Sequence, residues 1–252
     1  MRIDKPARAD KTSLRRLWQQ AFGDDDAFLD LFFDVAFSYD RCRCVTIDGE
    51  IVAALYWFDC TCRGERMAYL YAIATDKEKR GQGLCRALME DTHAHLASQG
   101  YASALLVPAE KSLFDFYERM GYVRGGTICK ISVNATPGSL TWHRLTPSEY
   151  AARRQTFLPE GGVIQEGEGL DFLARMATFF GGEDFVLATR NEGERLSCIE
   201  FLGNLDRAPA IVAALGHEQG HFRTPGAGRA FFMHYPLREN APVPTYLGIA
   251  LD

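Results

Sequence analysis

The stretch "KRGQGLCRAL", residues 79–88, constrains the fold more than any other part of the chain. Two glycines and two cations fall within five positions, and the apolar residues that follow recur at helical spacing. The run ahead of it, "RMAYLYAIAT", is apolar and rich in strand formers, so the chain passes here from a strand into a helix. A helix N-terminus presents backbone N–H groups that lack an internal partner, together with a partial positive charge. Glycines let a ligand approach that backbone closely, and Lys79, Arg80 and Arg86 add mobile positive charge around Gly81 and Gly83. The turn can cradle a diphosphate. A tight strand-to-helix turn also uses glycine for its conformation alone, so the stretch by itself leaves both readings open.

The surrounding order of elements narrows the choice. "SLRRLWQQAF" and "DDDAFLDLFFDVAF" place apolar residues three and four apart on either side of Gly23, which predicts two short helices, the second capped within Asp24 to Asp26. "CRCVTIDGEIVAALYWF" sets two apolar runs around Asp48-Gly49, a hairpin signal. After the glycine turn a helix is predicted from about Leu84 to Ser98, closed by Gly100. "ASALLVP" reads as a buried strand, "SLFDFYERM" as a short helix closed by Gly121, and "YVRGGTICKISV" as one or two closing strands. The order α-α-β-β-β-α-β-α-β predicts an α/β domain with a mixed sheet (α+β) over residues 1–133.

Polar, turn-rich "NATPGSL", residues 134–140, marks a linker over residues 134–141. Residues 142–252 hold predicted helices in "PSEYAARRQTF", "GLDFLARMATFF" and "RAPAIVAAL", and predicted strands in "DFVLATR", "RLSCIEFLG", "HFRTP", "AFFMHYPL" and "TYLGIALD". They predict a second, smaller α/β domain.

Composition excludes several classes. A net charge of −5 argues against a general nucleic-acid binder, which needs a basic surface to displace counterions. No apolar run approaches the roughly 18 residues that span a bilayer, and "MRIDKPARADK" lacks the apolar core of a signal peptide. The expectation is a cytoplasmic protein, monomeric or homodimeric, without nucleic-acid or membrane partners. Its seven cysteines, an odd number without a framework, read as free thiols.

Arg80-x-x-Gly83-x-Cys85 after "AIATDKEK", with "FYERMGY" one helix and one strand later, resembles the GNAT superfamily of acyl-CoA-dependent N-acetyltransferases over about residues 1–133. The family signature is Q/R-x-x-G-x-G/A, and Cys85 stands where glycine or alanine is usual. The resemblance implies that the amides of Gly81, Gln82, Gly83, Leu84 and Cys85, with Arg80 and Arg86 beside them, hold the pyrophosphate of acetyl-CoA, a cosubstrate. It implies that Ile73, Ala74 and Thr75 pair with the pantetheine arm like an added strand, with Phe114 also at the coenzyme. Tyr117 matches the tyrosine that protonates the departing thiolate, a transfer between groups of comparable basicity. Glu110 stands where many relatives carry an asparagine, and a carboxylate there can face the amine substrate. The implied reaction moves an acetyl group to a primary amine of a small molecule or peptide, by direct attack in a ternary complex and without a metal. The residues leave the general base open among Glu110, Asp59, Glu65, Asp115 and water. The second half resembles a degenerate repeat of the same fold, as in a tandem GNAT, without glycines or cations placed for a diphosphate. Glu160, Glu166 and Glu168 in "PEGGVIQEGEG" can then face the acceptor.

Other readings compete. An acyl-CoA-binding sensor keeps the coenzyme site without the reaction, and thioester turnover separates the two. "HEQGH" matches the H-E-x-x-H of a zinc metalloprotease through His217, Glu218 and His221, but that zinc motif works only on a helix. Gly216 and Gly220 predict a turn leading into a strand instead. Cys42, Cys44, Cys60 and Cys62 form two C-x-C pairs; a two-residue hairpin turn puts 44 opposite 53 and 42 opposite 55, so without a bulge the pairs face opposite sides of the sheet. His93 and His95, two apart on a helix, read as solvated.

Overall fold

Leu14, Leu17 and Trp18 fall on one side of α1 (Lys11–Phe22) and are all buried. Gly23, at φ +79°, stops that helix, and its amide donates to Gln19 O at 2.9 Å. The Asp25 carboxylate then caps α2 (Asp26–Val35) through the Phe28 amide at 2.8 Å. These helices pack on the strands that follow in the computed structural model, which describes residues 1–192 and 195–251.

A short β1 (Arg2–Asp4), not signalled by the sequence, precedes α1. The hairpin β2 (Cys42–Ile47) and β3 (Glu50–Cys62) turns at Asp48-Gly49 as expected, and β4 (Glu65–Thr75) runs antiparallel to β3. Next come α3 (Leu84–Ser98), β5 (Ser103–Leu106), α4 (Lys111–Glu118), β6 (Val123–Arg124) and β7 (Thr127–Asn134). The bounds of α3 coincide with those read from the sequence. Beyond residue 134 lie β8 (Trp142–Leu145), α5 (Pro147–Phe157), β9 (Ile164–Gln165), α6 (Glu168–Leu173), β10 (Thr178–Gly182), β11 (Phe185–Glu192), β12 (Arg195–Gly203), α7 (Ala208–Ala214), β13 (Gln219–Pro225), β14 (Arg229–Ala230) and β15 (Met233–Pro236).

Two mixed sheets result. The first has the order β1-β2-β3-β4-β5-β15-β6, with β9 also paired to β3; the second has β14-β7-β13-β12-β11-β10-β8. Each contains one parallel pair, β4 with β5 and β12 with β13. The sheets exchange strands. Thr127–Asn134, expected to close the first domain, hydrogen-bonds along β13 in the second sheet. Met233–Pro236, from the C-terminal part, inserts between β5 and β6 in the first. Pairings between segments so distant in sequence carry no local signal, which is why the sequence does not show them.

Two expected elements differ. "GLDFLARMATFF" holds α6 only as far as Leu173; its last three residues begin β10, where Phe179 is buried against the core. "TYLGIALD" is a non-strand segment whose Tyr246, Leu247, Ile249, Ala250 and Leu251 are buried, and Asp252 lies outside the described residues. Gly248 is obligatory there, because a Cβ would come within 1.8 Å of Glu200 Oε1.

The cysteine geometry also departs from expectation. A bulge between Val45 and Thr46 sets Cys44 opposite Ala54 and Cys42 opposite Tyr56. Cys42, Cys44, Cys60 and Cys62 therefore share one buried core face. Tyr56 and Cys60 are four positions apart on β3, so the pairs stay about 13 Å apart along the strand. His93 is the other correction: it is buried, its Nε2 lies 2.8 Å from the Tyr122 hydroxyl, and its ring stacks on Tyr235 at 4.1 Å. Burial pushes this imidazole down to about 4.

The C-terminal half buries an ion pair. Glu200, 0% exposed, accepts from Arg154 Nε at 2.7 Å and Nη2 at 3.0 Å and from the Tyr150 and Tyr246 hydroxyls. Arg154 Nη1 also donates to Val163 O at 2.8 Å, so this buried pair is satisfied on both sides.

Candidate active site

Strands β4 and β5 pair only from Met67 to Tyr69 against Ser103 to Leu105. Beyond that point they part. Two cavities occupy the opening, of about 640 Å³ and 350 Å³, and Phe22, Ile73, Leu113 and Tyr117 line both. The strand at the opening is distorted: Leu55 faces two residues, Ala72 and Ile73, between the pairs Tyr56–Tyr71 and Ala54–Ala74. Ala72 takes a φ of +47°, a conformation costing about 1–3 kcal/mol that persists only where its surroundings enforce it. This bulge, which no feature of "YLYAIAT" advertises, lies on the wall of the smaller cavity.

The larger cavity gathers most of the expected coenzyme residues. Ile73, Ala74 and Thr75 form its strand side, and Arg80, Gly81, Gly83, Leu84, Cys85 and Arg86 its helix side. Gly81 and Gly83 have φ of +77° and +76°, and a Cβ on either would meet nothing within 4 Å. Both glycines thus serve a left-handed turn and leave open space beside it. The first helical hydrogen bond runs from the Ala87 amide to Gly83 O at 3.0 Å, so the amides ahead of it have no intrahelical acceptor. Lys79 and Arg119 join Arg80 and Arg86 around the cavity. Arg80 Nε donates to Thr75 O at 3.2 Å and Arg86 Nη2 to Arg119 O at 3.2 Å, which holds both guanidinium groups at the rim. Open amides and four cations fit a diphosphate.

Gln82 and Phe114 are not on the wall. Gln82 is exposed between the two left-handed glycines, and Phe114 packs into the core under α3 with the Arg124 guanidinium 5.2 Å from its ring. Cys85 is on the wall, and burial raises its thiol to about 11, so it is a neutral thiol there.

Tyr117 comes from α4, the helix that follows β5, and is 7% exposed where the two cavities meet. Burial, with a smaller contribution from Cys85, raises its hydroxyl above the usual phenol value, so it holds its proton at neutral pH. Glu110 precedes α4 and is exposed on the wall of the larger cavity. The other carboxylates considered are engaged elsewhere: Asp59 accepts from Tyr101, Glu65 pairs with Arg238 at 2.8 Å, and Asp115 with Arg124 at 3.1 Å. Glu160 pairs with Arg63 at 3.3 Å and Glu168 with Arg41 at 2.9 Å, and neither borders the cleft. Glu166 lines a separate small recess beside Cys60.

The rival motifs do not assemble. "HEQGH" spans a turn and the start of β13, with His221 Nδ1 2.9 Å from Ser132 Oγ, so its histidines share no helix face. Among the described residues no group of three or more candidate ligands is placed to hold a metal ion, and no helix is long and apolar enough to cross a membrane.

Residues 2–125 match the model of a family described as the acetyltransferase (GNAT) domain. Residues 2–125 are therefore a GNAT acetyltransferase domain. Over 72 residues it is 29% identical to "Probable N-acetyltransferase family 8 member 5" of Mus musculus, covering 28% of this chain and 32% of the mouse protein. The aligned part thus spans about a third of that curated relative's length. Among solved structures, a GCN5-related N-acetyltransferase from Anabaena variabilis ATCC 29413 superposes with a TM-score of 0.74 at 14% identity, over 94% of this chain and 73% of that one. Eis1 from Mycobacterium abscessus gives 0.70 at 16% identity, over 94% and 74%. At these identities the likeness is one of fold, and it extends through both sheets.

Proposed function

We propose that this chain is an N-acetyltransferase that transfers the acetyl group of acetyl-CoA to a primary amine by direct attack within a ternary complex. The observation that carries this reading is the position of Tyr117: one protonated phenol at the junction of a cavity suited to a diphosphate and a second, apolar one. The pyrophosphate rests on the amides of Gly81 to Cys85 with Arg80 and Arg86 beside it. The pantetheine arm runs along the β4 edge at Ile73 to Thr75, which β5 leaves unpaired. The thioester then reaches the bulge at Ala72.

The chemistry closes without a metal or a covalent enzyme intermediate. The amine nitrogen attacks the thioester carbon, the N–C bond forms and the C–S bond breaks. The departing thiolate takes the Tyr117 proton, and the phenol regains one from solvent. Glu110, exposed at the channel wall, passes the surplus proton of the amine to bulk water. A thioester-release assay with acetyl-CoA tests the reading. Release that depends on added amine is expected; coenzyme binding without amine-dependent release would identify a sensor instead.

A further inference from the structure

The smaller cavity has a composition that selects among amines. Its walls include Trp18, Phe22 and Phe28 from the first two helices, Tyr71 from β4 and Leu113 from α4. Among the described residues on its wall, the one charged side chain is Asp24. The rings form one surface, with Trp18 centred 5.6 Å from Phe22, 6.2 Å from Phe28 and 5.7 Å from Tyr71. Their polar tips are already engaged by the protein. Trp18 Nε1 donates to Asp24 Oδ2 at 2.8 Å and the Tyr71 hydroxyl to Leu251 O at 2.9 Å.

A polyhydroxylated or polycationic acceptor would leave its hydroxyls and extra ammonium groups against these rings without partners, each losing about tenfold in affinity. An apolar body loses nothing there and gains ring contacts. We infer that the acceptor is a primary amine carried on an aromatic or branched-aliphatic body, which lies against Trp18, Phe28 and Tyr71 while Asp24 draws in its ammonium group. This inference rests on the acetyl-transfer reading for its chemistry, and on the cavity alone for its selectivity.

The test compares acetyl-CoA consumption with 2-phenylethylamine, tryptamine and isopentylamine against spermidine, an aminoglycoside and glycine. The apolar amines should show kcat/KM at least about tenfold higher, the effect of one unpaired buried polar group. Equal or better turnover of any member of the second set overturns the inference. So does a rate that rises from acetyl-CoA to octanoyl-CoA, which would make the cavity an acyl-chain pocket. Asp24→Asn keeps an acceptor for Trp18 Nε1 and removes only the charge; KM for 2-phenylethylamine should rise about tenfold and kcat should fall by less. An unchanged KM removes Asp24 from recognition. Should no amine be acetylated, the acetyl-transfer reading fails separately, and calorimetry of 2-phenylethylamine against CoA-saturated protein decides the cavity: saturable binding weakened in Asp24→Asn supports it, and no binding overturns it.

Discussion

Two strand-helix-strand crossovers in this chain share a topology and differ at the turn. In the first sheet β4 leads through α3 to its parallel neighbour β5; in the second β12 leads through α7 to β13. The first turn holds Gly81 and Gly83 with open space over both and then 15 helical residues. The second holds Gly203, where a Cβ would lie 2.2 Å from Asp184 O, and then a helix of 7 residues. There Asn204 Nδ2 and Arg207 Nε donate to the Asp184 carboxylate at 2.9 and 3.0 Å. The second turn is thus closed by the protein's own anion, while the first leaves its amides and cations facing a cavity. Topology sets up a crossover; what fills the space over the turn decides whether it serves as a site. The buried titratable groups differ in the same spirit. Glu200 is charged and fully partnered, whereas His93 is kept neutral by burial.

Several measurements would break or sharpen this contrast. The largest effect belongs to Glu200→Ala, which strands the buried Arg154 cation and should lower the unfolding free energy by about 3–5 kcal/mol in denaturant titration. The coenzyme affinity of the folded fraction should not move; if it did, the second half would have a hand in the site. Next is acid sensitivity in the first half. The folded value of His93, about 4, lies below the unfolded 6.5, so the unfolded chain takes up its proton first as pH falls. Stability should be complete above about pH 6.5 and drain towards pH 4 by about 3 kcal/mol, and His93→Gln should flatten that slope in a thermal-melt series.

Tyr117→Phe should lower kcat about 100-fold with the acetyl-CoA Kd within about twofold. Because its hydroxyl is raised, wild-type kcat should not decline between about pH 7 and 10; a limb there that vanishes in the variant would show a phenol ionising in the ordinary range. Gly83→Ala forces a side chain into a left-handed position at about 1 kcal/mol and should weaken coenzyme binding about tenfold by calorimetry. Undiminished binding would mean that the turn is conformational only. Smallest is Asp184→Asn, which should leave one coenzyme bound per chain, since opening the second turn supplies no glycine pair.

Local signals were legible where they sufficed. The apolar spacing of Leu84, Leu88 and Leu96 locates α3, Asp48-Gly49 locates the hairpin, and the two separated motifs around Arg80 and Tyr117 point to the family. The walls of the smaller cavity were not legible, because Trp18, Phe28 and Tyr71 meet only through tertiary packing. His93 looked solvated for want of a neighbour; its stacking partner Tyr235 is 142 positions away on β15, the strand borrowed by the first sheet. The hairpin bulge at Val45 and Thr46 inverted the expected facing of the cysteines, since one extra residue resets the alternation. Helix α6 gave way to β10 because apolar "TFF" pairs with β11 and β8, a choice made by partners and not by propensity.

The exchanged strands set the order in which this molecule can be completed. The rim of the first sheet, where β5 and β6 await a neighbour, stays unfilled during synthesis until the ribosome has released residue 236. A nascent chain cut short after the whole glycine turn has emerged would still expose the edge of Ser103 to Leu106 that faces away from β4. The first sheet therefore closes only once residues 233–236 are available, and both halves should melt in a single transition.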